Sequence, residues 1–455
     1  MEAIANLRFA VALSSLLFLT CGSEEAAPPI MPPPVEMPSG ETATEPEPAE
    51  EFLLGIERLE QDGFAELSGQ RIALVTHAAA TDRHGTPVWQ LLMETTTVEQ
   101  EFLYAPEHGL SASLHGELGD AEASEELVVK SLYGSSRAPD PVEIRDLDAL
   151  IYDLVDVGAR FYTYTTTLYL CIESCREAGI PLIVLDRPNP LGDAVAGALP
   201  DGLQDSFVGK LPIPVRYGLT AGELALWIAG ELLPGAEVRV VAMTGYEPRL
   251  YLDEQVAANT DLPYERSSRI QDEPSRTARR QRLPWNPPSP NLPRLEGAIL
   301  YAGVGLFEPV RLSVGRGTER PFELVGAPWL DADGLADYWN ANCPGAEFEI
   351  TEFTPRQPSD GRYSGQTCQG VAITITDRRL LDPLRLAVYG YDFLARHHED
   401  RLALETRFLN RMVGDGSLSR LVRGEITPEE LLTLWAAGVE SFVEQTVPYR
   451  LYLCE

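Results

Sequence analysis

The sequence predicts an α/β protein, a parallel-sheet domain followed by a smaller α+β domain, and three observations carry that prediction. Short apolar runs rich in β-branched residues recur at Arg71–Val75, Val98–Tyr104, Ala149–Leu154, Pro181–Leu185 and Val238–Ala242; their length suits buried strands. Segments of helical period, Leu168–Ala178 and Ala221–Leu232, lie between them, and this alternation marks βαβ units and a sheet covered on both faces. Polar residues collect just after the runs, where open α/β sheets bind ligands, beyond the carboxyl ends of their strands.

Taken in order, residues 1–21 read as an export signal. The apolar run Phe9–Leu19 is too short to span a bilayer but long enough for a signal-peptide core. It ends Phe18-Leu19-Thr20-Cys21-Gly22, which resembles a lipoprotein cleavage box with Cys21 as the lipidated residue. A secreted protein with an incidental cysteine is the rival. Residues 22–51, with Pro28, Pro29, Pro32, Pro33 and Pro34 followed by Glu45, Glu47, Glu50 and Glu51, cannot build a core and read as a solvated tether. An exported protein is expected, in the periplasm or lipid-anchored at an outer membrane, or else secreted.

Residues 52–270 form the parallel-sheet domain, in which Thr220 and Glu223 make a capping box opening the second helix. Tyr251–Leu283 is a polar, arginine-rich crossing, and residues 271–455 form the second domain. There Gly297–Val304 and Gly370–Thr376 read as strands. Pro383–His397 and Thr427–Gln445 read as helices, the latter with Thr427 as cap, Pro428 first inside and Glu430 closing the box.

Charge narrows the partners. With 69 acidic residues against 36 basic ones the net charge is −33, which argues against nucleic acid or an anionic membrane surface as the main partner. No GxGxxG follows the first strand, and GxSxG, HExxH and CxxC are all missing. Dinucleotide, serine-hydrolase and common zinc chemistry are therefore unsupported, and no cofactor is expected. His108, His115, Glu117 and Asp120 offer metal-ligand types within a short span, but in a glycine- and serine-rich stretch, and no metal is expected. Cys171 and Cys175 read as small buried apolar residues, while Cys343 and Cys368 could pair after export.

Chemistry is expected at Glu107. In Tyr104-Ala105-Pro106-Glu107-His108-Gly109 an apolar strand runs into a proline, an acid, an imidazole and a glycine, which presents the carboxylate at the rim of a sheet. His108 would orient it or touch ligand. Asp156 and Asp186, after the third and fourth strands, are the candidates for a second carboxylate. Arg160, Arg187 and Arg316 are candidates to hold a carboxylate by two-pronged contact, although Asp156 and Arg160, one helical turn apart, could instead pair with each other.

Together these strings resemble the exo-β-N-acetylmuramidases of glycoside hydrolase family 171 (NamZ-type), formerly a domain of unknown function. The resemblance runs from about Gly55 to Tyr452. It is carried by Pro106-Glu107-His108-Gly109, Ser131-Leu132-Tyr133-Gly134, Asp156-Val157-Gly158, Arg160-Phe161-Tyr162-Thr163-Tyr164, Asp186-Arg187-Pro188-Asn189-Pro190, Ser206-Phe207-Val208-Gly209, Ser289-Pro290-Asn291 and Gly315-Arg316-Gly317-Thr318. It implies a Rossmann-like first domain, a smaller second domain and an active site in the cleft between them. It also implies release of N-acetylmuramic acid from the non-reducing ends of peptidoglycan fragments, with Glu107 as the catalytic acid. Asn189 and Asn291 are then expected to contact substrate, and Tyr162 and Tyr164 to pack on sugar faces or line the core. The chain departs from the family pattern at His77, Val155, Tyr217 and Pro309-Val310-Arg311. Two other functions fit the same strings: a non-catalytic muropeptide-binding lipoprotein, and an exo-hexosaminidase of different sugar specificity.

Overall fold

Six strands of the first half assemble, in the computed structural model, into one parallel sheet; the structure describes residues 52–107, 109–110, 128–134, 136–255 and 283–452. The strands are β1 (Arg71–Thr76), β2 (Glu99–Ala105), β3 (Val128–Ser131), β4 (Ala149–Asp153), β5 (Leu182–Leu185) and β6 (Val238–Val241). Their order is β3-β2-β1-β4-β5-β6, the doubly wound arrangement that reverses direction between β1 and β4 and opens a crevice there. Leu74 of β1 lies level with Leu103 of β2 and Ile151 of β4.

The central strands are apolar throughout because both faces are covered. Ala73, Val75, Leu150, Tyr152 and Val184 pack on one side, and Ile72, Leu74, Ile151, Ile183 and Leu185 on the other, each in its own buried cluster. Helices α1 (Gly55–Gln61), α2 (Val88–Glu94), α3 (Pro141–Ile144), α4 (Thr163–Ala178) and α5 (Ala221–Trp227) accompany the sheet. The predicted capping box on α5 is present, with the Glu223 N–H donating to Thr220 and the Thr220 N–H to Glu223. A π turn, Ile228–Leu232, takes the place of the predicted last turn.

Helix α4 begins five residues before the predicted start, at Thr163. Threonines and tyrosines are weak helix formers, but here Thr163–Leu168 are all buried, so packing overrides propensity. This extension places Thr163 and Tyr164 in the first helical turn.

The second half corrects one element. Gly297–Val304, predicted as a strand, lies within helix α6 (Leu295–Val304). Its residues are buried on every side, so the run lacks the polar face from which helical period is read. A Cβ at Gly303 would stand 1.7 Å from the Pro383 carbonyl oxygen, so glycine lets α6 touch the backbone at Pro383. A three-stranded antiparallel sheet, β7 (Leu324–Ala327), β9 (Cys368–Ile375) and β8 (Ala346–Phe353), carries α7 (Ala332–Asn342), and α8 (Pro383–His397) packs on α7 and α6. Helices α9 (Thr406–Val413), α10 (Ser417–Val422) and α11 (Pro428–Thr446) follow, α11 with the predicted Thr427–Glu430 box. The core on one face of the large sheet continues without a break into this half, through Tyr301, Phe307, Trp339 and Tyr391.

Cys171 and Cys175 are buried thiols, as predicted, and Cys343 and Cys368 are also free and buried instead of paired. Among the described residues no helix is long and apolar enough to cross a membrane. Cys21, His108, His115, Glu117, Asp120 and most of the predicted crossing lie outside the described residues.

Candidate functional site

Glu107 follows β2, at the carboxyl end of the sheet, and two hydroxyls from the start of α4 hold it. The Thr163 hydroxyl donates to its Oε2 at 2.8 Å. The Tyr164 hydroxyl lies 3.3 Å from its carbonyl oxygen and 3.3 Å from that of Pro288. One buried tyrosine therefore joins the acid's backbone to the second half of the chain. His77, after β1, stands behind it: the Val155 N–H donates to Nε2 at 3.0 Å, so the ring proton sits on Nδ1, 3.4 Å from the Tyr164 hydroxyl. The Tyr162 hydroxyl also reaches the Pro288 carbonyl, at 3.3 Å, and its ring lies 4.6 Å from that of Tyr164. Both tyrosines are buried and serve as struts of the rim.

Asp156 follows β4. Its Oδ1 accepts from the N–H groups of Val157 and Gly158 at 2.5 and 3.0 Å, and Tyr217 bonds it from the side. Burial pushes this carboxyl up to about 6, against the pull of those hydrogen bonds. Two hollows open at this rim, and Asp156 lines the smaller. The smaller, about 210 Å³ of empty space, is lined by Asp156, Tyr217 and Asn189. The larger, about 450 Å³, lies among Thr81, Val155, Arg187 and Trp285, at the β1–β4 crevice. Arg187 and Pro188 form the wall between them, and Glu107 lines neither.

Several predicted site residues turn out to be occupied elsewhere. Asp186 is fully buried and accepts from Thr220, Gly222, Arg187 and Tyr452, which ties β5 to the start of α5 and to the chain's end. Arg160 is fully buried too. It donates to the carbonyls of Ala198, Ile213 and Met412, and burial pulls it down to about 9. The expected alternative, a pair with Asp156, is not what it makes. Arg187 grips Asp153 with two nitrogens and the Thr81 carbonyl with a third. Asn189 braces its own loop, donating to the Leu219 carbonyl and accepting from the Leu191 N–H. Asn291 sits in the turn after Ser289, its N–H on the serine hydroxyl.

Arg316 alone among the predicted arginines stays at the surface of the seam, with 17% of its side chain exposed. Its Nε and Nη2 donate to Glu308 at 2.9 and 2.5 Å, and Nη1 meets the Ser359 hydroxyl at 3.3 Å. Tyr301, on α6, packs its ring against those of Tyr162 and Phe322, and the Arg316 guanidinium lies over the Phe322 ring. Tyr217 and Tyr301 were not predicted. Tyr217 stands out in the sequence only as a departure from the family pattern, with no role attached, and Tyr301 lies in the run expected to be a strand.

Strand-end carboxylates set among tyrosine hydroxyls are residue types that hydrolysis of a glycosidic bond calls for. The chain belongs to the exo-β-N-acetylmuramidase NamZ family, whose N-terminal model matches residues 72–269 and whose C-terminal model matches residues 299–452. It is a glycosidase. The peptidoglycan β-N-acetylmuramidase NamZ of Bacillus subtilis (strain 168) is 31% identical over 414 residues, 88% of this chain and 91% of that protein. A crystal structure of a DUF1343 family protein from Bacteroides fragilis NCTC 9343 superposes with a TM-score of 0.74 at 28% identity, covering 90% of this chain and 100% of that one. A second from the same organism gives 0.66 at 27%, covering 89% and 99%.

Proposed function

We propose that this protein removes N-acetylmuramic acid from the non-reducing ends of peptidoglycan fragments, with Glu107 as general acid. The observation that carries the proposal is the mounting of Glu107: one oxygen is held by Thr163 and its backbone by Tyr164, so Oε1 is the atom offered to a leaving oxygen. Protonation there and stabilisation of an oxocarbenium-like transition state are what cleavage of a β-glycoside requires. Asp156 is the better second carboxylate, since Asp186 is saturated with donors while Asp156 lines a hollow. It would polarise the sugar's own acetamido group or a water. Arg316 is the arginine left to meet the lactyl carboxylate of muramic acid, because Arg160 and Arg187 are engaged in the interior. Export through the leader, with Cys21 lipidated and residues 22–51 as spacer, would put the enzyme beside its substrate; incorporation of labelled palmitate that is lost in Cys21→Ser tests that part.

The main test compares the parent and Glu107→Gln on digested peptidoglycan and on a chromogenic N-acetylmuramide. The variant should lose about 10²–10⁴-fold in kcat on the natural bond, and less on the chromogenic one, whose leaving group needs little protonation. Equal rates for the two proteins on peptidoglycan fragments would remove Glu107 from the role. Cleavage of N-acetylglucosaminides in preference to muramides would make the enzyme a different exo-hexosaminidase.

A further inference from the structure

The second half of the chain brings one hydroxyl to the seam that no role above uses. Tyr301 stands on α6 with its ring among those of Phe161 at 5.0 Å, Tyr162 at 6.1 Å and Phe322 at 4.8 Å. Only 8% of the residue is exposed. Its hydroxyl has no hydrogen-bond partner among the described residues, yet it is not sealed from solvent. A buried tyrosine usually finds a partner for its O–H, so this one is placed for an acceptor that arrives from outside. Burial, then the charge of Glu308, keeps the hydroxyl protonated, which makes it a donor at any working pH.

The corner around it is rigid. Phe322, a bulky residue, is held in the left-handed region at φ 65°, and the loop that backs the corner holds Gln357 at 47° and Tyr363 at 50°. Such conformations persist only where the surroundings over-determine them. Here Arg362 donates to the carbonyls of Glu308, Val310 and Leu312, and the Tyr363 hydroxyl to that of Arg311. The segment carrying Glu308 and Arg316 is thereby fixed. The guanidinium lies 5.1 Å over the Phe322 ring, which itself touches Tyr301. Only Nη1 ends on an exchangeable partner, the Ser359 hydroxyl.

We propose that the Tyr301 hydroxyl and the Nη1 edge of Arg316 together bind the lactyl carboxylate of the muramoyl sugar, so that Tyr301 selects muramic acid over glucosamine. This rests on the muramidase reading above and adds the residue that decides its sugar. Tyr301→Phe keeps the ring packing and deletes the donor. Binding of N-acetylmuramic acid and of its lactyl methyl ester is measured by calorimetry for parent and variant. The parent should prefer the acid; the variant should bind the acid about tenfold more weakly and the ester as the parent does. Unchanged affinity for the acid, or an equal loss for both ligands, overturns the assignment. A parent that binds neither ligand and cleaves no muramide fails at the muramidase reading itself, and this inference falls with it.

Discussion

Burial moves the Asp156 carboxyl from an ordinary 3.8 to about 6, with hydrogen bonds from Gly158, Val157 and Tyr217 opposing the shift. Because the folded value lies above the unfolded one, its stabilising contribution is whole below pH 3.8 and is lost as pH rises through about 6. Asp156→Asn keeps an oxygen for the two backbone donors and removes the charge. Relative to the parent, the variant should gain roughly 1–3 kcal/mol at pH 8 and nothing at pH 4; thermal melts at the two values decide it, and identical pH profiles would mean the carboxyl titrates normally. If Asp156 acts ionised, the parent's rate climbs through about pH 6 and the asparagine variant shows no such limb. The rim positions of Glu107 and Asp156 were legible in the sequence because each comes just after a strand-like run. Arg160 and Asp186 looked equally exposed by that rule. What withdrew them was the set of carbonyls and donors that distant segments bring to them, which no local pattern records.

At the level of elements, Asp186 matters through α5. Its carboxylate takes the Thr220 hydroxyl, the Gly222 N–H and the Tyr452 hydroxyl at 2.7, 2.8 and 2.6 Å, so it caps the helix and seats the chain's end. Asp186→Ala should cost about 3 kcal/mol or more, since several buried donors lose a charged acceptor, while the molecules that stay folded keep their kcat. Unchanged melting with a selective fall in kcat would return Asp186 to the chemistry. Elements with a polar and an apolar face, or with a cap, were readable: α8, α11 and the α5 box stand where predicted. Helix α6 was not, because a wholly buried run loses the polar side on which its period is written. Strand β8, AEFEITEF, escaped notice for the opposite reason, as its acidic alternation belongs to a half-exposed edge.

Across the whole molecule, Arg160 is the clearest tie. Three carbonyls from two loops of the first half and the end of α9 converge on one guanidinium. Arg160→Leu leaves them without donors in the interior and should lower stability by about 3 kcal/mol or more, seen as a lower urea midpoint with the slope unchanged. A variant as stable as the parent would mean the loops close without it. The same unity appears in the core, which passes from the large sheet through Tyr301 and Phe307 to Trp339 and Tyr391. Perturbation at this seam is therefore expected to be felt in both halves.

By itself the sequence determined the parallel sheet, its helices, the acid at the end of β2 and the family, because buried strands, caps and strand-end motifs are short-range patterns. Only the tertiary structure decided which charged residues keep access to solvent and which serve the interior. Arg316 and Asp156 kept access to a surface or a hollow, while Arg160, Arg187 and Asp186 were claimed by partners 34 or more residues away. Burial and hydrogen-bond saturation are set by the segments that fold over a residue, and those are not its neighbours in the chain.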